Sequence, residues 1–274
     1  MIPATFDYVR ADSLEDAIAR LAEHGGEAKL LAGGHSLLPL MKFRLATPSV
    51  LVDIGRLANL SYVREEDGHV AIGALTRHHD LATNEVALAS APVLAHVAGQ
   101  IGDPQVRHRG TIGGSLAHGD PASDLPATVL ALGGTLVAQG PRGRREIAAS
   151  AFFSSFFEVD LASDEVLVEV RVPAVPAGPY GFEKLTKRAQ DWAIVGAVAA
   201  RTSEGVGVGL INMGPVPLRA AAVEAAVAAG ASAAEAAQHA ADGSDPAPDF
   251  NGSVTYRQHL ARVLVRRALE KAGV

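Results

Sequence analysis

The sequence predicts a mixed α/β or α+β fold of two or three modest domains, and three observations carry that reading. Short β-like runs alternate with amphipathic or apolar helical segments along most of the chain. The length, 274 residues with 48% hydrophobic, supplies cores for more than one domain. Three prolines, Pro173, Pro176 and Pro179, break any regular element and mark the best linker.

Residues 13–23 read as an amphipathic helix. Ser13 and Asp16 resemble a capping box, Leu14, Ala17, Ile18 and Leu21 share a face, and Gly25-Gly26 ends it. Lys29-Leu30-Leu31 and Leu51-Val52-Asp53-Ile54 are expected strands, the first running straight into a glycine-rich loop. Val70-Ala71-Ile72 is a third, and Thr76 is expected to cap a helix after it. Residues 92–98 are helical, Ile101-Gly102-Asp103-Pro104 turns, and an apolar helix covers 125–132. Residues 135–138 and 165–172 are β-like. Beyond the prolines, 194–200 and 206–211 flank Ser203-Glu204-Gly205 as a hairpin. The alanine-dense stretch 218–241 is helical with a break at Gly230, and 256–271 form a last helix with several arginines on its exposed side.

Composition excludes several classes. A net charge of -6 gives no reason to expect nucleic acid or an anionic membrane. No apolar run approaches the roughly 20 residues of a spanning helix, and no basic-then-apolar leader is visible, so the expected location is the cytoplasm. With no cysteine, the chain forms no disulfide, uses no thiolate and ligates no iron–sulfur cluster through thiolates. None of the ten histidines forms an H-x-x-x-H pair, and no metal site is expected.

Two glycine-rich segments carry the chemistry: Ala32-Gly33-Gly34-His35-Ser36 and Thr111-Ile112-Gly113-Gly114-Ser115. Glycine reaches positive φ and lets backbone amides approach an anion, and successive N–H groups form a concave anion site to which a serine hydroxyl adds a donor. Two such loops can clasp both phosphates of a dinucleotide. Neither fits G-x-G-x-x-G or the phosphate-loop pattern G-x-x-x-x-G-K-[ST].

The flanks are more specific. Residues 32–45, Ala-Gly-Gly-His-Ser-Leu-Leu-Pro-Leu-Met-Lys-Phe-Arg-Leu, and 109–124, Arg-Gly-Thr-Ile-Gly-Gly-Ser-Leu-Ala-His-Gly-Asp-Pro-Ala-Ser-Asp, resemble the two FAD motifs of medium subunits of aerobic carbon monoxide dehydrogenase and xanthine dehydrogenase, the molybdenum hydroxylase family. The resemblance covers nearly the whole chain. It implies an α+β, two-subdomain FAD-binding fold (PCMH-type) over 1–175, with subdomains of about 1–57 and 58–175. A smaller α/β C-terminal domain of the carbon monoxide dehydrogenase flavoprotein type follows over 176–274.

The resemblance also implies the cofactor contacts. Ala32, Gly33, Gly34, His35 and Ser36, with Thr111, Ile112, Gly113, Gly114 and Ser115, would bind the FAD pyrophosphate, with Leu37 and Ala117 beside the cofactor. Asp124, and less directly Asp120, match acidic positions that accept hydrogen bonds from ribityl or ribose hydroxyls; capping of the helix at Leu125 is the competing role for Asp124. Leu161 and Leu167 match positions lining the adenine pocket. Lys184, and Asp191 and Trp192 within Arg188-Ala189-Gln190-Asp191-Trp192, resemble the C-terminal segment that reaches the flavin. Two departures stand out: Ser115 replaces a more usual asparagine, and Trp192, the one tryptophan, replaces a more usual tyrosine.

The expected role is electron relay. Electrons would come from a large molybdopterin-containing subunit through a small 2Fe-2S subunit, in a dimer of heterotrimers, and FAD would pass them to NAD, a quinone or oxygen. No residue of this chain is expected to be catalytic toward the substrate. The alternatives are a stand-alone flavin-dependent oxidoreductase of the same superfamily and a non-catalytic flavoprotein; the short stretch after the prolines argues against the first. Gly113-Gly114-Ser115-Leu116-Ala117 also resembles a degraded nucleophile elbow, with Asp249 and His259 in hydrolase order, a pattern almost any chain this long contains. His78-His79 read as a solvated surface.

Overall fold

Residues 1–175 and 178–274 are described by the computed structural model, and Pro176 of the expected linker lies outside the described residues. The chain begins with a parallel three-stranded sheet of β1 (Asp7–Arg10), β2 (Ala28–Leu31) and β3 (Val50–Asp53), in the order β1-β3-β2. Parallel neighbours need crossovers. Here α1 (Leu14–His24) links β1 to β2 and α2 (Leu37–Lys42) lies between β2 and β3. Ser13 caps α1 by accepting from the Asp16 N–H at 3.1 Å. The Asp16 carboxylate reaches the Asp12 N–H instead of Ser13, so the reciprocal half of the box is shifted by one residue. Leu14, Ala17, Ile18 and Leu21 pack on Ala28, Val50 and Val52. The first glycine loop lies at the carboxyl end of β2, the end at which open parallel sheets bind ligands.

The second sheet is antiparallel: β4 (Val63–Glu66), β5 (His69–Gly73), β6 (Thr135–Gly140) and β7 (Gly143–Ala148) surround a central strand. Between β7 and that strand, β8 (Phe153–Ser155) and β9 (Glu158–Val159) form a separate ribbon. The central strand is β10 (Val166–Pro173), in the order β4-β5-β10-β6-β7. Val166 and Val168 of β10 join the core of the first sheet, while Leu167, Val170 and Val172 join a larger core beneath the helices. Both faces of β10 are therefore covered where it begins, which explains the apolar run Val166-Leu167-Val168 before Glu169 and Arg171 interrupt it.

The helical layer comprises α3 (His78–Thr83), α4 (Glu85–Ser90), α5 (Pro92–Gly99), α6 (Pro104–Arg107), α7 (Ile112–His118), α8 (Asp124–Ala131) and α9 (Ala149–Phe152). Thr76 does not cap α3. Its hydroxyl accepts from the Tyr62 N–H and donates to the Tyr62 carbonyl, because the helix starts one residue too late for Thr76 to reach its first turn.

The third sheet is β11 (Tyr180–Leu185), β12 (Val195–Thr202), β13 (Gly205–Ile211) and β14 (Leu218–Arg219), antiparallel in that order. One face packs on α10 (Ala221–Ala228), α11 (Ala233–Ala236) and α12 (Val254–Lys271). The expected helix 218–241 thus opens with two strand residues and breaks into short pieces. Arg257 of α12, expected among its exposed arginines, is buried. The other face of the sheet meets α8. Gly207 and Gly209, two residues apart and so on one face of β13, lie against the carbonyl oxygens of Ala131 and Ala127, one helical turn apart. A Cβ on either would overlap those oxygens.

Gly207→Val is therefore expected to destabilise the protein by about 1–3 kcal/mol. In Gly26→Ala the added Cβ meets open space, and the change is expected to stay within about 0.5 kcal/mol. Urea unfolding of both variants against the parent measures the difference.

Candidate functional site

A cleft of about 860 Å³ runs from the carboxyl end of β2, past the start of α7 and the β8–β9 ribbon, to the segment after β11. Most of the expected site residues line it. Ala32 to Leu37 come from the first loop, and Thr111, Gly113, Gly114, Ser115 and Ala117 from the second. Asp124 opens α8, Leu161 and Leu167 lie beyond the ribbon, and Lys184, Asp191 and Trp192 come from the third-sheet unit.

Two expected residues do not line the cleft. The Ile112 side chain is fully buried in the helical core, and its N–H donates to the Thr76 carbonyl at 3.0 Å. The Asp120 carboxylate turns back to accept from the Ala122 N–H at 2.8 Å.

The loops differ in what they offer an anion. Among the described residues, no backbone acceptor meets the N–H groups of Gly33, Gly34, His35, Ser36 or Leu37, whereas Leu38 donates to the Gly34 carbonyl to start α2. Gly34 sits at φ 78°, a left-handed conformation that glycine adopts without a Cβ penalty. The result is a row of open donors at the end of a strand, suited to a phosphate.

The second loop spends its amides inside the protein. Ile112 donates to Thr76, Gly113 to Ala74 at 2.8 Å, Gly114 to the Thr111 hydroxyl at 3.1 Å and Ser115 to the Thr111 carbonyl. Its glycines are required by close approach: a Cβ on Gly113 would lie 2.5 Å from that of Ala74. What this loop presents to the cleft is an exposed Gly114 and the half-buried Ser115. The loops also touch, for a Cβ on Gly33 would overlap the Arg109 carbonyl. Arg77 holds that carbonyl and the one of His108 through its guanidinium, at 3.0 and 2.9 Å.

Asp124 is buried and its Oδ2 accepts from Lys184 Nζ at 2.7 Å. Its Oδ1 has no partner among the described residues, and Ser123 rather than Asp124 holds the cap position of α8. Burial pushes the Asp124 carboxyl above the ordinary carboxylate range, opposed by Lys184. The pair joins α8 to β11, so the third-sheet unit closes the cleft with a charge. Beyond it, Arg188 pairs with Asp191 at 3.0 Å. Trp192 is 60% exposed at the cleft mouth rather than packed in a core.

His78 was not legible as part of the site. Far from solvated, it is 4% exposed, lines the cleft and packs against Gly110, whose carbonyl accepts from the His78 N–H at 3.0 Å. Its Nδ1 has no partner among the described residues. Burial, helped by the charges of His35 and Arg107, lowers its pKa to about 4. Phe157, at φ 59° and tilted at 46° against His118 with ring centres 4.9 Å apart, was also missed. Asp249, offered to a hydrolase triad by order alone, pairs with Arg257 at 2.7 Å and lines a different cavity from Ser115.

Comparison with known proteins gives concordant matches. The family model described as FAD binding domain in molybdopterin dehydrogenase matches residues 4–175, and that of the CO dehydrogenase flavoprotein C-terminal domain matches 180–272. The carbon monoxide dehydrogenase medium chain of Hydrogenophaga pseudoflava is 42% identical, over 99% of this chain and 98% of that one. The 6-hydroxypseudooxynicotine dehydrogenase complex subunit alpha of Paenarthrobacter nicotinovorans is 41% identical, over 99% and 96%. A solved structure of the Hydrogenophaga pseudoflava carbon monoxide dehydrogenase, in a form lacking the Mo-pyranopterin moiety of the molybdenum cofactor, has a TM-score of 0.93 at 42% identity. It covers 100% of this chain and 99% of that chain.

The buried His78 makes stability pH-dependent. Below its ordinary value of 6.5 the unfolded chain takes up a proton that the folded ring refuses down to about pH 4. Stability is therefore expected to fall as pH drops through that window, by about 3 kcal/mol in all. His78→Leu should flatten the decline in thermal midpoint between those limits; equal slopes for parent and variant would reject this.

Proposed function

The chain belongs to the family of FAD-binding medium subunits of molybdopterin dehydrogenases, oxidoreductase subunits whose cofactor is FAD, and from that premise we propose that it is the electron-relay subunit of a molybdenum hydroxylase. It receives electrons from a small 2Fe-2S subunit, itself reduced by a large molybdopterin-containing subunit, and delivers them to an external acceptor such as NAD, a quinone or oxygen. The complex is a dimer of heterotrimers in the cytoplasm, and this chain divides near 57 and 175 into two FAD-binding subdomains and a C-terminal domain.

The observation that carries the reading is the row of open amides from Gly33 to Leu37 lining the same cleft as Asp124, whose buried Oδ1 has no partner among the described residues. A dinucleotide flavin offers the matching parts, an anionic pyrophosphate for the amides and hydroxyl donors for the carboxylate. The fit is chemical as well as spatial, since apolar Leu161 and Leu167 remain for an aromatic ring. In this assignment the first loop holds phosphate, while Gly114 and Ser115 close on it from the second. Asp124 orients hydroxyl groups, and Lys184 holds its carboxyl group in place. Asp191 and Trp192 flank the ring end and limit water there.

Bound FAD supplies the exchange between one-electron and two-electron transfer. The chain's own residues position it; none is assigned proton transfer on the substrate. The two relatives above, near equal in identity to this chain, are named for different substrates. That supports substrate choice residing on another subunit.

Gly34→Ala forces a side chain into a left-handed conformation, with its Cβ 2.9 Å from Leu38 Cδ1. It is expected to weaken FAD retention at least about tenfold, read as the flavin-to-protein absorbance ratio after gel filtration. Asp124→Asn is expected to lower the same ratio, and a parent protein that retains no flavin defeats the assignment. The native complex is expected to contain molybdenum and iron–sulfur clusters in fixed proportion to this chain; a native preparation with neither overturns the relay.

A further inference from the structure

A second cavity, of about 430 Å³, shares Asp191 and Trp192 with the flavin cleft and is otherwise lined by different residues. That volume falls in the range of about 300–1,000 Å³ typical of small-molecule sites. Its floor is Arg257, 2% exposed, which donates to the Ile194 carbonyl and pairs with Asp249. The Arg257 Nε–H has no acceptor among the described residues, and a buried donor left unpaired costs about 1–3 kcal/mol. A ligand acceptor would remove that penalty.

The walls add two further features. Trp192 and Phe250 are 60% and 94% exposed, so both aromatic side chains are open to a planar ligand. Five charged residues line the cavity. Arg188 is paired with Asp191 and Arg257 with Asp249, whereas Lys187 meets no carboxylate among the described residues, leaving one excess positive charge. Planar aromatic surface, an unpaired cation and an unpaired guanidinium donor together describe one ligand chemistry.

We propose that this second cavity binds a planar aromatic anion of nucleotide character, its ring against Trp192 and Phe250 and its anionic group toward Lys187 and Arg257. The site stands on residues other than those assigned to the flavin phosphates, and Lys187, Phe250 and Arg257 do not line the flavin cleft. Its occupant would nevertheless be felt there. Arg257 holds the Ile194 carbonyl and Asn212 Nδ2 holds that of Ala193 at 2.8 Å, so the floor of the cavity anchors the turn carrying Trp192.

The test uses the FAD-loaded full chain and the intrinsic fluorescence of Trp192, the only tryptophan. Adenosine monophosphate serves as the probe, with adenosine and inorganic phosphate as its separate halves. Saturable quenching by the nucleotide is expected, with adenosine at least about tenfold weaker and phosphate alone without effect. Phe250→Ala and Lys187→Gln, at exposed positions, should each weaken the nucleotide about tenfold while the flavin-to-protein ratio holds. The proposal is overturned by the absence of saturable quenching up to about 10 mM nucleotide, or by quenching that neither variant alters. A parent protein without flavin would instead count against the relay assignment, and the two variants would still report on this cavity, since neither position belongs to the flavin cleft.

Discussion

Backbone pressed on backbone, with no side chain between, is the constraint on which the rest of this structure depends. It recurs at three seams. Gly33 lies on the Arg109 carbonyl and brings the two loops together, Gly113 lies on Ala74 and seats the second loop against the central sheet, and Gly207 with Gly209 lies on α8. Each seam fixes a distance that the cleft inherits. Because α8 begins with Asp124, the glycine stripe on β13 also sets how near Lys184 comes to that carboxylate. Protein interiors transmit such displacements because they are packed as densely as crystals.

The Asp124–Lys184 pair shows why seams of this kind matter more than contact energy. A buried ion pair returns little or nothing over an apolar pair of equal volume, because both charges are taken out of water. Its use is positional. One oxygen of Asp124 is committed to Lys184, and the other is buried with no donor among the described residues. The carboxylate is thereby oriented rather than merely buried, and its orientation is set by a strand from the opposite unit.

Much of this was readable from residues alone where local rules act alone. Ser13, Gly25 and the apolar face of α1 announce that helix, and the valine-rich run at 166–172 announces a strand. Edge strands β4 and β7, with Val-Arg-Glu-Glu and Gly-Arg-Arg-Glu-Ile-Ala, carry little apolar alternation because nearly every side chain on both of their faces meets water. They were invisible for that reason. In the site, loop positions were legible but their chemistry was misread in part. The glycines of the second loop resemble those of the first, yet its amides are consumed by Thr76, Ala74 and Thr111, partners that only tertiary structure supplies. His78 was likewise out of reach, since nothing in His78-His79 says which ring turns inward.

That asymmetry between the loops has a consequence for the order of events in making the protein. The α7 half of the clasp is hydrogen-bonded whether or not a cofactor is present, so it can serve as a finished anvil as soon as the chain folds. The amides of the β2–α2 half meet no backbone acceptor among the described residues. Under the proposed assignment, loading would complete one loop against a surface that is already hydrogen-bonded.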